Sequence, residues 1–341
     1  MIRAANELLS TIRQIHTAIR DEVVATCERD SLNALSEIVA DQAGDTIFAI
    51  DRVSEQILLQ HFEQLGSRWS FVLVAEGLGE DGLMVFPPET DPTQAELVII
   101  IDPIDGTRGL MYQKRAAWIL TGVAPNRGTS TNLSDIELAV QTEIPLVKQH
   151  LSDCLWAFAG QPAQGERYNR LTGESTPLHP QPSQAQTIAQ GYGNISRFFP
   201  GVRAELAAID DELILRTLGP AAAGKVQAFE DQYISSGGQL YELMMGHDRW
   251  VADLRPLAEP LLAARGQASG LCCHPYDLCT ELIARQLGII ITDEHGEQLS
   301  APLDVSTDMS WIGYANSAIH EQIAPALKTL LAQHFTPKSS S

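Results

Sequence analysis

The chain has 341 residues, 43 of them acidic and 23 basic, for a formal charge of −20. With 44% apolar and 19% charged residues it is globular in composition, long enough for one large domain or two sub-domains of about 150 residues each. Acidity of this strength excludes a nucleic acid polymer or an anionic membrane surface as partner, because both need a dense cationic face.

Leu8, Ile12, Ile15, Ile19 and Val23 recur at spacings of three and four and predict an amphipathic helix. Arg3, Glu7, Arg13 and Arg20 interrupt the same stretch, so it holds no signal-peptide core. A second helix is expected after Asp51, with Val53, Ile57, Leu58, Phe62 and Leu65 on one side. Residues 71–74 and 97–101 are compact apolar runs that suit buried strands and fall far below the ~20 residues of a membrane span. Further strands are expected over 118–123, 136–140 and 155–159, with a hairpin turn at 170–174. After the Pro-rich stretch 179–182 the texture changes, and a boundary near 185 divides the chain into sub-domains 1–185 and 186–341. Val202, Leu206, Ile209 and Leu213 predict a helix, and residues 241–245 belong to another. Leu278, Leu282, Ile283 and Leu287 predict a helix running straight into a strand over 289–291. Residues 293–297 turn the chain, a final helix carries Ile319, Ile323, Leu327 and Leu330, and 338–341 read as a loose tail. Helices and strands are mixed throughout, which means an α/β or α+β chain built in layers. Five cysteines make no disulfide framework, and a cytoplasmic location is the expectation.

The strongest local signal is Asp102-Pro103-Ile104-Asp105-Gly106-Thr107, directly after the strand expected at 97–101. A buried strand holds its terminal side chain rigidly, and Pro103 keeps the chain extended beyond it. Two carboxylates three residues apart then project from the turn, while Gly106 and Thr107 can open a helix whose free amides face an anion. Mg²⁺ prefers such oxygen-rich sites and commonly bridges carboxylates to phosphate; an Asp-rich turn capping a helix is the competing reading of the pair alone. Glu76 ends the preceding strand run, and Asp277 stands at a helix start, where an N-cap is its simplest role. As a set, Glu76, Asp102, Asp105 and Asp277 supply carboxylate for two cations ~4 Å apart, activating water and stabilising a leaving oxygen.

The run from Val98 to Thr107 resembles the signature of the inositol monophosphatase family of Mg²⁺-dependent, lithium-sensitive phosphatases. The wider superfamily includes fructose-1,6-bisphosphatase and the 3′-phosphonucleotide phosphatases. The resemblance extends from about Leu8 to Leu331, and Gly44 to Asp51 is similar to the family's early segment. A second signature is similar to Tyr276 to Ile283 followed by Gly288 to Gly296. The resemblance implies a layered α-β-α-β-α sandwich of the sugar phosphatase type. It also implies that Asp51 and Thr107 activate the attacking water, with Glu76 sharing the catalytic work. One metal would be held by Glu76, Asp102 and the Ile104 carbonyl, a second by Asp102, Asp105 and Asp277, and a third, weaker one would lean on Glu76. Mg²⁺ is the implied ion, two or three per site, with Mn²⁺ as substitute. Backbone amides of Gly106 and Thr107 would hold phosphate, and Asp105, Asp277 and the loop containing Gly237 and Gly238 would touch the substrate. That substrate is a small phosphorylated metabolite, inositol monophosphate by default, with sugar bisphosphates and 3′-phosphonucleotides next. A homodimer is the family's usual habit.

The chain departs from the pattern at several points. Gly77 stands where many members carry a second acid, Tyr276 replaces a usual Trp, and Cys279-Thr280-Glu281 replaces small residues. Segments 82–92 and 247–273 read as insertions beside the metal site, and Asp253 in the second is a candidate for binding substrate hydroxyls.

A rival from another class is an NAD-dependent oxidoreductase, since Gly77-Leu78-Gly79-Glu80-Asp81-Gly82 fits the dinucleotide spacing with Asp102 about 20 residues on. Pro87, Pro88 and Pro92 break the place where its crossover helix must run, and Glu80 and Asp81 would face a pyrophosphate. Cys272, Cys273, His274 and Cys279 match no common zinc spacing and read as small buried residues. No Gly-x-Ser-x-Gly elbow is present. Arg108, Lys114 and Arg115 either guide an anionic substrate or are solvated charges, and Trp118 and Trp250 read as packing residues. A non-catalytic relative is the third reading, opposed by the intact set Asp51, Glu76, Asp102, Asp105, Thr107 and Asp277.

Overall fold

The structure, a computed structural model, describes residues 2–42, 45–78, 81–268 and 270–335, without the side chains of 38–42, 45–47 and 53–57. Gly44, Gly79, Glu80, the tail at 338–341 and the side chains of Val53 and Ile57 therefore lie outside the described residues. Helix α1 (Ala5–Arg29) buries the predicted stripe of Leu8, Ile12, Ile15, Ile19 and Val23. A short α2 (Leu32–Leu35) leads into the hairpin β1 (Ile38–Gln42) and β2 (Asp45–Phe48). Helix α3 (Ala49–Leu65) starts before Asp51, not after it. The reason is local: the Phe48 N–H donates to the Asp51 carboxylate at 2.9 Å, so this acid caps the helix from inside its first turn.

The next elements are β3 (Phe71–Val74), β4 (Leu83–Phe86), β5 (Leu97–Asp105), α4 (Thr107–Met111), β6 (Ala117–Pro125), β7 (Leu138–Ile144), β8 (Leu151–Phe158), β9 (Gln164–Asn169) and β10 (Glu174–Leu178). Their strands form one sheet of eight in the order β10-β9-β8-β7-β6-β5-β3-β4, antiparallel except for the parallel pair β3–β5. Segment 82–92 supplies the edge strand β4, which pairs antiparallel with β3. A dinucleotide fold needs a crossover helix at this point, so the rival reading loses its scaffold. Strand β7 begins at 138 because Asn132 caps a tight turn over Leu133–Asp135, its side chain accepting from the Ser134 N–H at 3.1 Å.

The remainder comprises β11 (Tyr192–Ile195), α5 (Arg203–Leu218), α6 (Ser236–Met244), β12 (Asp248–Asp253), α7 (Glu259–Ala264), α8 (Pro275–Leu278), α9 (Glu281–Gln286), β13 (Ile290–Thr292), β14 (Trp311–Tyr314) and α10 (Ser317–Phe335). A second sheet runs β11-β12-β14-β13. The single helix expected over 278–287 is two pieces, α8 and α9. The chain breaks at Cys279 and Thr280, where the Thr280 hydroxyl donates to Gln141 Oε1 at 3.0 Å and the Cys279 carbonyl packs on Gly122 of β6.

Alternation along β5 shows how the layers stack. Leu97, Ile99 and Ile101 face a first core under α1 and α3, while Val98 and Ile100 face a second core shared with α6, α8 and α9. The small sheet closes that second core, and its outer face carries a third under α5 and α10. The order is α-β-α-β-α, as the resemblance implies. Among the described residues no helix is long and apolar enough to cross a membrane.

A histidine sits inside the first core. His16 is 1% exposed, with Nδ1 2.9 Å from Thr142 Oγ1 and Nε2 2.8 Å from Thr121 Oγ1. Burial, then the Arg13 charge, pushes its pKa down to about 3. The folded ring therefore stays neutral while the unfolded chain takes up a proton below about pH 6.5. Acid binds the unfolded state more, so this residue's stabilisation is lost as pH falls from about 6.5 toward 3, by up to about 1.4 kcal/mol per pH unit. We expect His16→Gln to flatten that slope in urea unfolding measured between neutral and mildly acid pH; an unchanged slope would contradict the neutral ring.

Candidate active site

The acid motif does not follow its strand; β5 continues through it to Asp105. Asp102 pairs with Leu120 and Asp105 with Trp118, so a three-residue step on β5 faces a two-residue step on β6. The extra residue is a β-bulge. In a regular strand Asp105 would point away from Asp102, because side chains alternate. The bulge restores parity and sends both carboxylates to the side of Trp118 and Leu120, toward the second core.

Helix α8 meets them there. Pro275 opens it after the N-cap residue His274, whose N–H donates to the Asp277 carboxylate at 2.7 Å; Asp277 is thus not the N-cap that the sequence suggests but the third helical residue, reaching back to close the first turn. It also joins the cluster: carboxylate oxygens of Asp102, Asp105 and Asp277 all lie within 4.8 Å of one another. Burial, then the charges of Asp105, Asp277 and Glu76, pushes the Asp102 carboxyl well above its usual range. Burial and the Asp105 charge do the same to Asp277. Asp105 is pushed up to about 6 by burial, although Ser235, the Gly237 and Ser236 amides and the Arg255 charge favour its ionised form. Three hard oxygen donors this close, held in a site that resists their joint ionisation, fit a divalent cation such as Mg²⁺, whose charge would remove the conflict.

Asp105 is the most firmly held of the three. Its Oδ2 accepts from Ser235 Oγ at 2.8 Å and from the Gly237 N–H at 2.6 Å. Ser235 is also the N-cap of α6, accepting from the Gly238 N–H at 2.8 Å. Gly237 and Gly238 are both buried and neither lines the cavity; their amides are spent on Asp105 and Ser235. No side chain fits at Gly237, where a Cβ would stand 2.6 Å from Leu120 Cδ2 and 3.0 Å from Asp105 Oδ2.

The other expected residues face the same cavity, an open cleft. Thr107 Oγ1 lies 3.0 Å from Asp51 Oδ1 and 2.8 Å from the Ile104 carbonyl, joining α3 to the start of α4. Gly106 has φ +96° and abuts Ser235, a combination only glycine tolerates. Glu76 lines the cleft outside the three-acid cluster, with the Tyr276 hydroxyl 3.4 Å from its Oε2. Arg108 also lines the cleft, whereas Lys114 and Arg115 do not. Arg115 pairs with Asp231 and lies 5.1 Å over the Tyr233 ring. Trp118 and Trp250 are buried, Trp118 donating to the Tyr233 hydroxyl at 2.9 Å. Cys272, Cys273 and Cys279 are buried.

Two features escape the sequence reading. Arg255, inside a segment read as an insertion, lines the cleft with Phe198 and Phe199. Asp253, expected to bind substrate hydroxyls, is fully buried and held by that arginine instead. The Asp-x-Arg spacing at the end of β12 is the signal that could have linked them. The other feature is Gln141 of β7, fully buried, which donates to the Gly237 carbonyl at 2.7 Å and accepts from Thr280.

No protein-family profile matches the chain, and no curated protein matches it in sequence. Solved structures do match. The Thermotoga maritima IMPase (inositol monophosphatase) aligns at TM-score 0.62 and 15% identity, over 96% of this chain and 99% of its own. Leishmania major fructose-1,6-bisphosphatase aligns at TM-score 0.67 and 14% identity, over 95% and 93%. Inositol monophosphatase II from Staphylococcus aureus aligns at TM-score 0.58 and 13% identity, over 98% and 100%. The fold of this chain is that of the inositol monophosphatases and fructose-1,6-bisphosphatases.

Proposed function

We propose that the protein is a Mg²⁺-dependent phosphomonoesterase acting on a small phosphorylated metabolite. The observation that carries this reading is the convergence of Asp102, Asp105 and Asp277 beside the Asp51–Thr107 pair in one cleft. Similarity to structures of inositol monophosphatases and a fructose-1,6-bisphosphatase supports it. Inositol monophosphate is the default substrate, with sugar bisphosphates and 3′-phosphonucleotides as the next to test.

Asp102, Asp105 and Asp277 would hold the cations, with Glu76 and the Ile104 carbonyl completing the set as the resemblance implies. When bound, divalent cations lower the pKa of coordinated water and neutralise charge growing on the phosphoryl oxygens. Asp51 accepts the Thr107 hydroxyl proton, which leaves the threonine oxygen as acceptor toward a water O–H and so orients the attack. Gly106 and Thr107 present the first amides of α4 to the phosphate.

A phosphate-release screen over phosphorylated metabolites tests the reading, run with Mg²⁺, with Mg²⁺ plus lithium, and with chelator. Release with Mg²⁺ that chelator abolishes is the expected result, and lithium inhibition is expected from the resemblance. Release from no ester with Mg²⁺ or Mn²⁺, or release that chelator leaves undiminished, would sink it.

A further inference from the structure

Arg255 stands at the end of β12, beside Phe198 and Phe199 from the chain leaving β11, and these three form a wall of the cleft that holds the acid cluster. Its guanidinium lies 4.9 Å over the Phe198 ring and 5.5 Å from the Phe199 ring. Nε donates to Asp253 Oδ1 at 2.8 Å and Oδ2 at 3.0 Å, Nη2 donates to the same carboxylate, and Nη1 donates to the Leu271 carbonyl. The Arg255 backbone N–H adds a bond to Asp253 Oδ1 at 3.2 Å. Asp253 is wholly buried and the Arg255 side chain only 12% exposed, so the cation is fixed in place.

These bonds engage three of the five N–H groups of the guanidinium. One on each terminal nitrogen has no protein acceptor among the described residues. We propose that Arg255 is a specificity-determining residue that takes a second anionic group of the substrate, a carboxylate or a further phosphate. The inference rests on the phosphatase reading for the first group, the ester at Asp102, Asp105 and Asp277.

Three physical points favour an anion over a hydroxyl. A planar guanidinium presents paired donors that match two oxygens of one anion, and it keeps its charge at any working pH. The phenyl rings exclude water from one face, which strengthens attraction at the open edge. The Asp253 pairing removes the rotational freedom that an exposed arginine would lose on binding. Arg255 also lies close enough to Asp105 and Asp277 to act on both electrostatically, so one small molecule can span the cluster and the guanidinium.

Matched probes test this. Glycerol 2-phosphate and 2-phosphoglycerate differ by one carboxylate; glucose 6-phosphate and glucose 1,6-bisphosphate differ by one phosphate. Binding is read by calorimetry with Mg²⁺ in an Asp51→Asn background, where turnover is suppressed, and phosphate release is read separately with Asp51 intact. The probe with the second anion should bind at least tenfold tighter in one pair or both. That ratio should fall to about one in Arg255→Met and recover in part in Arg255→Lys. Because Arg255→Met strands a buried carboxylate, Asp253→Asn/Arg255→Met is measured alongside it; this pair of changes removes both charges. Equal binding of the probes in both pairs, or a ratio that survives both variants, overturns the assignment. Absence of phosphate release with the binding preference intact would instead refute the phosphatase reading and leave Arg255 in its role.

Discussion

Asp102→Asn should give a folded protein whose phosphate release falls about 1000-fold, yet which melts above wild type once cations are stripped away. The two effects have one cause. Asp102, Asp105 and Asp277 bring their oxygens within 4.8 Å of one another, and burial with mutual repulsion raises the Asp102 carboxyl well above its usual range. In the cation-free protein at neutral pH that arrangement opposes folding, because a group with a raised folded pKa loses its contribution as pH climbs through it. Asparagine keeps the shape and keeps an acceptor for the Ile104 N–H, which Oδ1 receives at 3.0 Å. It removes one negative charge. Relief of about 1 kcal/mol raises the midpoint by roughly 2–4 °C in a chain of this class of size. Mg²⁺ should then stabilise wild type and do little for the variant. Thermal melts with chelator and with Mg²⁺, alongside the release assay, check both halves. A folded Asp102→Asn protein with wild-type turnover would show that the chemistry lies elsewhere.

Gly237→Ala should lower both stability and turnover, although the residue does not line the cleft. Its new Cβ would stand 2.6 Å from Leu120 Cδ2 and 3.0 Å from Asp105 Oδ2, and Leu120 is fully buried with nowhere to retreat. Overpacking of this kind costs about 1–3 kcal/mol. The strain falls on the 2.6 Å hydrogen bond that fixes the Asp105 carboxylate, and turnover should drop about 100-fold. Gly193→Ala is the control, since its Cβ would clash with the Trp250 indole at 2.2 Å, away from the acids. Both variants should melt earlier, but only Gly237→Ala should change kcat per folded molecule. If Gly237 instead touches substrate, the change would appear in KM with the melting temperature unmoved.

Periodicity makes parts of this fold readable in the sequence. The α1 stripe and the β5 run are long, strongly patterned and buried on the faces the pattern names. Strands β9 and β10 are half exposed at one end of the sheet, so their residues carry no apolar alternation to read. The break between α8 and α9 depends on Gln141 and Gly122, which no local window contains. Among the candidate residues, Asp102, Asp105 and Asp277 were visible as acids at ends of elements. Their convergence needed the bulge, which shows in sequence only as a proline after an aspartate. The place of Gly237 behind the acid, not in the cleft, and the capture of Asp253 by Arg255 are set by side-chain packing between distant segments.

Gln141 does not line the cleft, but it ties together elements that build it. Its two side-chain bonds close separations of 96 residues to Gly237 and 139 residues to Thr280. Chain closures that long sacrifice entropy before any contact compensates, so we expect these bonds to form late in folding. Until they form, the carboxylates of the bulge lack the amides of α6 and the company of Asp277, and they titrate as ordinary hydrated acids. The acid cluster is thus complete only when both sheets have docked through the helices between them.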